Sequence, residues 1–189
     1  MPNPDYGLAD SLKAPFWLTF GHQAHKNVET CIHALASLPA TTKMVVVGSG
    51  KYIDNQLRPT ASALGLQERI SFAGRVSAEQ LSGLYRRALG LVFLSRYEGF
   101  GLPILEAMQV GCPVICSNCC SLPEVAGDAA VILPPEGGPE LVAALRMVQT
   151  DERKREELSA RGIKRASQFS WQRAAEETCS VYRHLLRNN

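Results

Sequence analysis

Two glutamates, Glu98 and Glu106, bracket the segment with the clearest chemical potential: Glu98-Gly99-Phe100-Gly101-Leu102-Pro103-Ile104-Leu105-Glu106. The two glycines let the backbone approach a ligand closely. Pro103 suits the first turn of a helix, where no N–H partner is needed. A helix opening there aims its free N–H groups outward, an anion site best matched by phosphate. Glu98 is suited to hold sugar hydroxyls or a developing positive charge. Glu106, one turn into the helix, is suited to accept hydrogen bonds from ribose hydroxyls. The same residues also read as a helix-capping turn with solvated glutamates, and the residues alone favour neither reading.

A second polar segment is Gly21-His22-Gln23-Ala24-His25-Lys26-Asn27. Lys26 can neutralise a diphosphate and His22 can add a hydrogen bond; the alternative is a basic loop with Asn27 as the N-cap of the next helix. The two histidines have no carboxylate or further histidine at helical spacing to complete a metal site. His33 and His184 are expected on helix surfaces. A third segment, Phe72-Ala73-Gly74-Arg75-Val76, offers the backbone of Arg75 and Val76 to a base edge, with the Val76 side chain beside the ring. Gly48-Ser49-Gly50 matches neither the dinucleotide fingerprint nor a P-loop, and there is no GxSxG or Ser/His/Asp set.

These segments fall at regular places in the chain. Apolar runs at 16–20, 44–47, 70–73, 91–94, 113–116 and 130–133 read as strands. Helical patterns fill 27–38, 52–64, 77–87 (capped by Ser77, with Glu79 in its first turn) and 103–109, with a short turn at 122–125. Met44-Val45-Val46-Val47 is apolar throughout, as strands covered on both faces are. Such alternation predicts an α/β, Rossmann-like three-layer sandwich with a mostly parallel sheet of about six strands. Ligands of such folds bind beyond the C-terminal strand ends, where the three polar segments stand. Residues 1–14 are expected to be a lead-in and residues 15–189 one domain ending in helices. In the last of these, Ser170 is the N-cap and Trp171, Ala174, Ala175, Thr178, Val181, Tyr182 and Leu185 make an apolar stripe. The stripe must pack either on its own sheet or on a partner domain or subunit.

The chain has 189 residues, 46% hydrophobic, with 20 Lys and Arg against 18 Asp and Glu. That length suits one large domain with a full core. The near-neutral charge gives no reason to expect a nucleic-acid partner. No apolar run approaches the twenty residues of a membrane span, and the N-terminus lacks a secretory signal pattern. The six cysteines are Cys31, Cys112, Cys116, Cys119, Cys120 and Cys179. Their spacing is too irregular for a disulfide scaffold, and Cys116, Cys119 and Cys120 lack the fourth ligand of a zinc site. They are expected to be reduced, partly buried thiols of a cytosolic protein.

The motifs taken in order resemble the retaining nucleotide-sugar glycosyltransferases of the two-Rossmann-domain (GT-B) class, family 4, also termed glycosyl transferases group 1. The resemblance covers about residues 15–186 and is to their C-terminal, donor-binding lobe. Residues 95–108 resemble the family's E-x7-E element. It continues through Gly111-Cys112-Pro113-Val114-Ile115 and Ser121-Leu122-Pro123-Glu124-Val125-Ala126-Gly127-Asp128-Ala129-Ala130. Gly21 with Lys26-Asn27, Val47-Gly48-Ser49-Gly50 and Phe72-Ala73-Gly74 also fit.

The resemblance implies a site. Lys26 would hold the donor diphosphate, Glu98 would lie near the sugar hydroxyls, and these two would be the catalytic pair. Glu106 would sit on the ribose. Gly99, Phe100, Gly101 and Leu102 would lend backbone N–H groups, and Gly21, His22, Gly74, Arg75 and Val76 would complete the donor site. The arginine that many members carry a few residues before the lysine is replaced here by His22, Gln23, Ala24 and His25. The family's chemistry needs no divalent metal and no cofactor; the substrate would be a GDP- or UDP-linked hexose, mannose or glucose, and the anomeric configuration would be retained. The acceptor, a glycan or a lipid-linked sugar, would be held by an N-terminal domain. About 14 residues precede the first strand, against roughly 150 for such a domain, so transfer by this chain alone is not expected. The expected location is cytoplasmic, with any attachment to the inner membrane face made through that absent half. Other readings are a non-catalytic nucleotide-sugar binding module, one lobe of a sugar-nucleotide epimerase of the same architecture, and a structural subunit that binds nothing.

Overall fold

Phe16 and Leu18 bury on one face of a central sheet and Trp17 buries on the other, as the two-residue period of a strand requires. The computed structural model describes residues 15–187, so the expected lead-in at residues 1–14 lies outside the described part. The strands are β1 (Phe16–Phe20), β2 (Lys43–Val47), β3 (Ile70–Gly74), β4 (Gly90–Phe93), β5 (Val114–Ser117) and β6 (Val131–Leu133). All pair in parallel, in the order β3-β2-β1-β4-β5-β6. A sheet of this order reverses its direction of growth between β1 and β4, which leaves a crevice outside their C-terminal ends. The loops after β1 and β4 carry Lys26 and Glu98.

Helices cover both faces. They are α1 (Val28–Ala36), α2 (Arg58–Ala63, entered through a π turn at Ile53–Leu57), α3 (Ala78–Arg87), α4 (Leu102–Gln109), α5 (Leu122–Ala126), α6 (Gly138–Thr150), α7 (Glu152–Ala166) and α8 (Trp171–Arg187). Trp17, Met44, Val46, Val92 and Ile115 meet α1 and α6 in one core. Phe16, Leu18, Val45, Leu91, Phe93 and Val114 meet α3, α4 and α5 in the other. This is the expected three-layer α/β sandwich with a six-stranded sheet and a helical tail. Ser77 caps α3 in a reciprocal capping box with Gln80.

Two expectations need correction, and of the two readings of the terminal helix one does not hold. The helix expected over 27–38 runs over Val28–Ala36, and the Asn27 side chain does not cap it. Asn27 is left-handed, with φ 57°, and its side chain is occupied elsewhere. The helix expected over 52–64 is divided between the π turn and α2. The terminal helix does not lie on its own sheet. Ser170 caps it as expected, its Oγ accepting from Arg173 N at 3.1 Å, but no residue of α8 is buried. Trp171 is 81% exposed and Leu186 80%. Among the described residues nothing covers the stripe, and no helix is long and apolar enough to cross a membrane.

Because α8 buries nothing, it adds little to the stability of the sheet domain. Ending the chain after Ser170 is expected to leave the thermal unfolding midpoint within about 3 °C of the full chain. A drop several times larger would show that the stripe does pack on the domain.

Candidate functional site

Lys26 and Glu98 meet at the mouth of the crevice. Lys26 Nζ donates to Glu98 Oε1 at 2.6 Å, and the two side chains are only 10% and 13% exposed. The ammonium also lies 5.1 Å from the centroid of the Phe93 ring. Two opposite charges are largely withdrawn from solvent, each offsetting the desolvation of the other. Lys26 arrives there because a single 3-10 turn, Ala24–Lys26, follows β1 and ends on the left-handed Asn27.

Asn27 is the residue that joins the crevice loops. Its Nδ2 donates to the carbonyls of Leu94 (3.1 Å), just past β4, and Pro135 (2.6 Å), just past β6. Its Oδ1 accepts from Thr30 Oγ1 at 2.9 Å and Arg96 Nη2 at 3.3 Å. Arg96 N and Ser95 Oγ both donate to the His25 carbonyl, at 2.7 and 3.1 Å. The β1 and β4 loops are therefore tied backbone to backbone beneath the ion pair.

The turn after Glu98 is held from one side. Ser121, at the head of α5, has its hydroxyl 3.1 Å from the Glu98 carbonyl and 2.9 Å from that of Phe100. All peptides here are trans, so a carbonyl turned toward Ser121 sends the N–H of the next residue the opposite way. The Gly99 and Gly101 amides thus point away from α5. Among the described residues, no hydrogen bond is made by the amides of Gly99, Phe100, Gly101 or Leu102. Gly101 is obligatory: its φ is +100°, and a Cβ would lie 2.5 Å from Leu122 Cδ2. The turn runs into α4, whose second residue is Pro103. Free amides at a helix N-terminus suit an anion.

Glu106 lies one turn along α4, exposed, and is bonded to neither Lys26 nor Glu98. Its Oε2 accepts from Tyr85 Oη of α3 at 3.0 Å. Burial and the neighbouring Glu106 carboxylate push the Tyr85 phenol well above its ordinary range, so it stays a proton donor. His22 is exposed beside Gly48; its partial burial, then Lys26, lowers its pKa. Gly21 N donates to Val47 O at 2.9 Å, and a Cβ on Gly21 would lie 2.5 Å from Val46 Cγ1. Gly74 accepts from Gly48 N at 2.8 Å. It stands at the end of β3, two strands from β1, or about 10 Å across the sheet. Arg75 is exposed, and Val76 is partly buried against the α3 side of the core.

The structure therefore brings Lys26 and Glu98 into contact, with the unpartnered amides of Gly99, Phe100, Gly101 and Leu102 next along the chain and Gly21 and His22 in the loop after β1. Gly74, Arg75 and Val76 lie farther along the same strand ends, and Glu106 on α4. Sequence reading overlooked Asn27 as a joint, Ser121 and Tyr85. Ser121 and Tyr85 act on residues more than twenty positions away, where no local spacing rule applies. The Ser-Leu-Pro-Glu start of α5 was the only available hint of Ser121.

The cysteines do not converge. Cys31, Cys112 and Cys116 are buried, and burial pushes each thiol up to about 12. Cys119 is half-buried and Cys120 exposed; all six are free. Among the described residues, no three His, Cys, Asp or Glu side chains are grouped to hold a metal ion.

Residues 12–165 match the family described as Glycosyl transferases group 1. The chain is 37% identical over 167 residues to the O-antigen chain mannosyltransferase B of Escherichia coli, covering 86% of this chain and 44% of that protein. It thus spans less than half the length of this curated relative. Sucrose-phosphate synthase from Thermosynechococcus elongatus superposes with a TM-score of 0.84 at 26% identity, over 94% of this chain and 47% of that one. Anabaena Alr3699/HepE in complex with UDP-glucose superposes at 0.82, with 24% identity, over 95% and 53%; that likeness is one of fold. The chain belongs to the glycosyl transferases group 1 family and is a glycosyltransferase domain of GT-B fold.

Removing one member of a shielded ion pair strands the other. Lys26→Met is expected to lower the unfolding free energy by about 1–3 kcal/mol in urea denaturation. Adding Glu98→Gln should restore part of it. An unchanged midpoint for the single variant would show that the pair contributes nothing to the fold.

Proposed function

We propose that this group 1 glycosyl transferase domain is the donor-binding half of a retaining glycosyltransferase that takes a hexose from a nucleoside diphosphate sugar. The observation that carries the reading is the meeting of Lys26 and Glu98 at the sheet's switch point, beside four amides with no hydrogen-bond partner. A diphosphate carries the charge that Lys26 and the amides are arranged to meet. A mannose or glucose unit attached to it carries the hydroxyls that a carboxylate such as Glu98 accepts from.

In this reading the incoming diphosphate takes Lys26 from Glu98. The ammonium, the amides of Gly99, Phe100, Gly101 and Leu102 and the N-terminus of α4 then stabilise the charge that develops on the leaving nucleoside diphosphate. Glu98, released from Lys26, holds sugar hydroxyls near the anomeric carbon. His22 hydrogen-bonds to the phosphates beside Gly21. Glu106, held by Tyr85, takes the ribose hydroxyls. The backbone of Gly74 and Arg75, with the Val76 side chain, lies at the distance of the base, guanine or uracil. None of these steps calls on a metal.

The acceptor, a glycan or a lipid-linked sugar, is assigned to an N-terminal half. Two observations support that assignment: the chain spans 44% of the mannosyltransferase it resembles, and the apolar face of α8 is uncovered by the described residues. The likeness to a mannosyltransferase favours mannose as the transferred hexose. Any attachment to the inner face of a membrane is placed on the same acceptor half.

Calorimetric titration with GDP, UDP and their mannose and glucose conjugates tests the donor site. One base is expected to bind in the micromolar to sub-millimolar range, typical of such substrates. Lys26→Ala and Glu106→Ala should each weaken binding about tenfold, as losing a charge-assisted contact does. No binding at millimolar ligand would overturn the reading, and binding that survives both variants would place the site elsewhere.

Transfer needs both walls of the cleft to position the reacting atoms. The isolated chain is expected to show no sugar transfer to acceptor and to gain it when an N-terminal half is supplied. Interconversion of the free nucleotide sugar without acceptor would instead indicate an epimerase.

A further inference from the structure

The donor turn is braced at its carbonyls by Ser121, but the Gly99 side of it is open: no atom comes within 4 Å of a Cβ built there. What steadies that end is the Phe100 ring. Although 44% exposed, it meets the half-buried Phe169 edge to face, with centroids 6.2 Å apart and planes at 84°. Phe169 is far along the chain, in the short connection between α7 and α8. Its own ring is held from behind by the Arg165 guanidinium, 4.8 Å from the centroid.

Arg165 is itself immobilised. Its Nη2 donates to the Glu124 carbonyl at 2.6 Å and its Nε to the Val125 carbonyl at 3.0 Å, both in α5. Its Nη1 donates to Gln168 Oε1 at 2.6 Å. These contacts chain α5, Arg165, Phe169 and Phe100 together. Ser121 begins the same short α5, so one helix fixes the turn twice: directly through the Ser121 hydroxyl, and indirectly through the Arg165–Phe169 stack.

We propose that Phe169 is a positioning residue for the donor turn, holding the Phe100 ring so that the Gly99 and Gly101 amides stay aimed into the cradle. This rests on the donor-site reading above. Phe169 acts only through Phe100. With two glycines flanking it, the Phe100 peptide relies on the Ser121 hydroxyl at its carbonyls and on the ring contact at its side chain to resist rotation. An edge-to-face ring pair is of the size needed to matter for one backbone orientation without deciding the fold.

Two measurements on the 189-residue chain test this. In the ligand-free protein, heteronuclear NOE values of the Gly99 and Gly101 amides should be those of rigid backbone, drop in Phe169→Ala, and recover in Phe169→Tyr. In titrations with UDP and GDP, Phe169→Ala should weaken binding about three- to tenfold, the equivalent of one such ring contact. Phe169→Tyr should stay within about twofold of the parent. Phe100→Ala should weaken it similarly, and the double variant no further, because one contact is lost in all three. Unchanged amide mobility in Phe169→Ala, or additive effects of the two alanines, would overturn the proposal. A parent chain that binds neither nucleotide would overturn the donor reading instead, while the amide measurement would still decide the role of Phe169.

Discussion

The arrangement depends on one ion pair, Lys26 with Glu98, at the point where the sheet reverses its order. Both side chains are largely withdrawn from water, so each needs the other. The loop after β1 and the loop after β4 must then stay in register. Asn27 secures this from below by bonding to carbonyls past β4 and β6, and its left-handed backbone ends the turn that carries Lys26. In the proposed reading the same constraint would set the selectivity of the site. A ligand must offer Lys26 an anion at least as good as a carboxylate, and must offer Glu98 hydrogen-bond donors in exchange. A phosphorylated sugar meets both conditions; a neutral sugar or a simple anion meets only one.

Much of the fold was legible because the strands are apolar on both faces and bounded by glycine or proline. Met44-Val45-Val46-Val47 before Gly48 leaves little choice of structure, and repeated strand–helix alternation leaves little choice of sheet. The order of the strands was not legible. It follows from long-range packing of α1 and α6 on one face and α3, α4 and α5 on the other. Boundaries slipped where a local rule met tertiary demand. Asn27 has the chemistry of an N-cap, yet the loops after β4 and β6 occupy its side chain and the helix begins uncapped by it.

The site divides in the same way. Lys26, Glu98 and the Gly-Phe-Gly turn were readable, since glycines beside a charged residue past a strand mark close backbone approach. Ser121, Tyr85 and Phe169 were not. Each acts on a residue distant in sequence, and the serine, the tyrosine and the phenylalanine look like an ordinary loop residue, core residue and helix-end residue. The apolar stripe of α8 was readable as a stripe, but whether it met its own domain was a question of where the chain turns after Phe169. The structure turns it away from the sheet.

The central claim is that the cradle at Lys26 and Glu98 receives the diphosphate of a sugar nucleotide. The most direct test is a crystal structure of the chain with whichever of GDP or UDP it binds. The account predicts Lys26 Nζ moved from Glu98 to a phosphate oxygen, with the amides of Gly99 and Gly101 donating to the same group. A nucleotide bound elsewhere, with the Lys26–Glu98 pair intact at the 2.6 Å seen here, would contradict it.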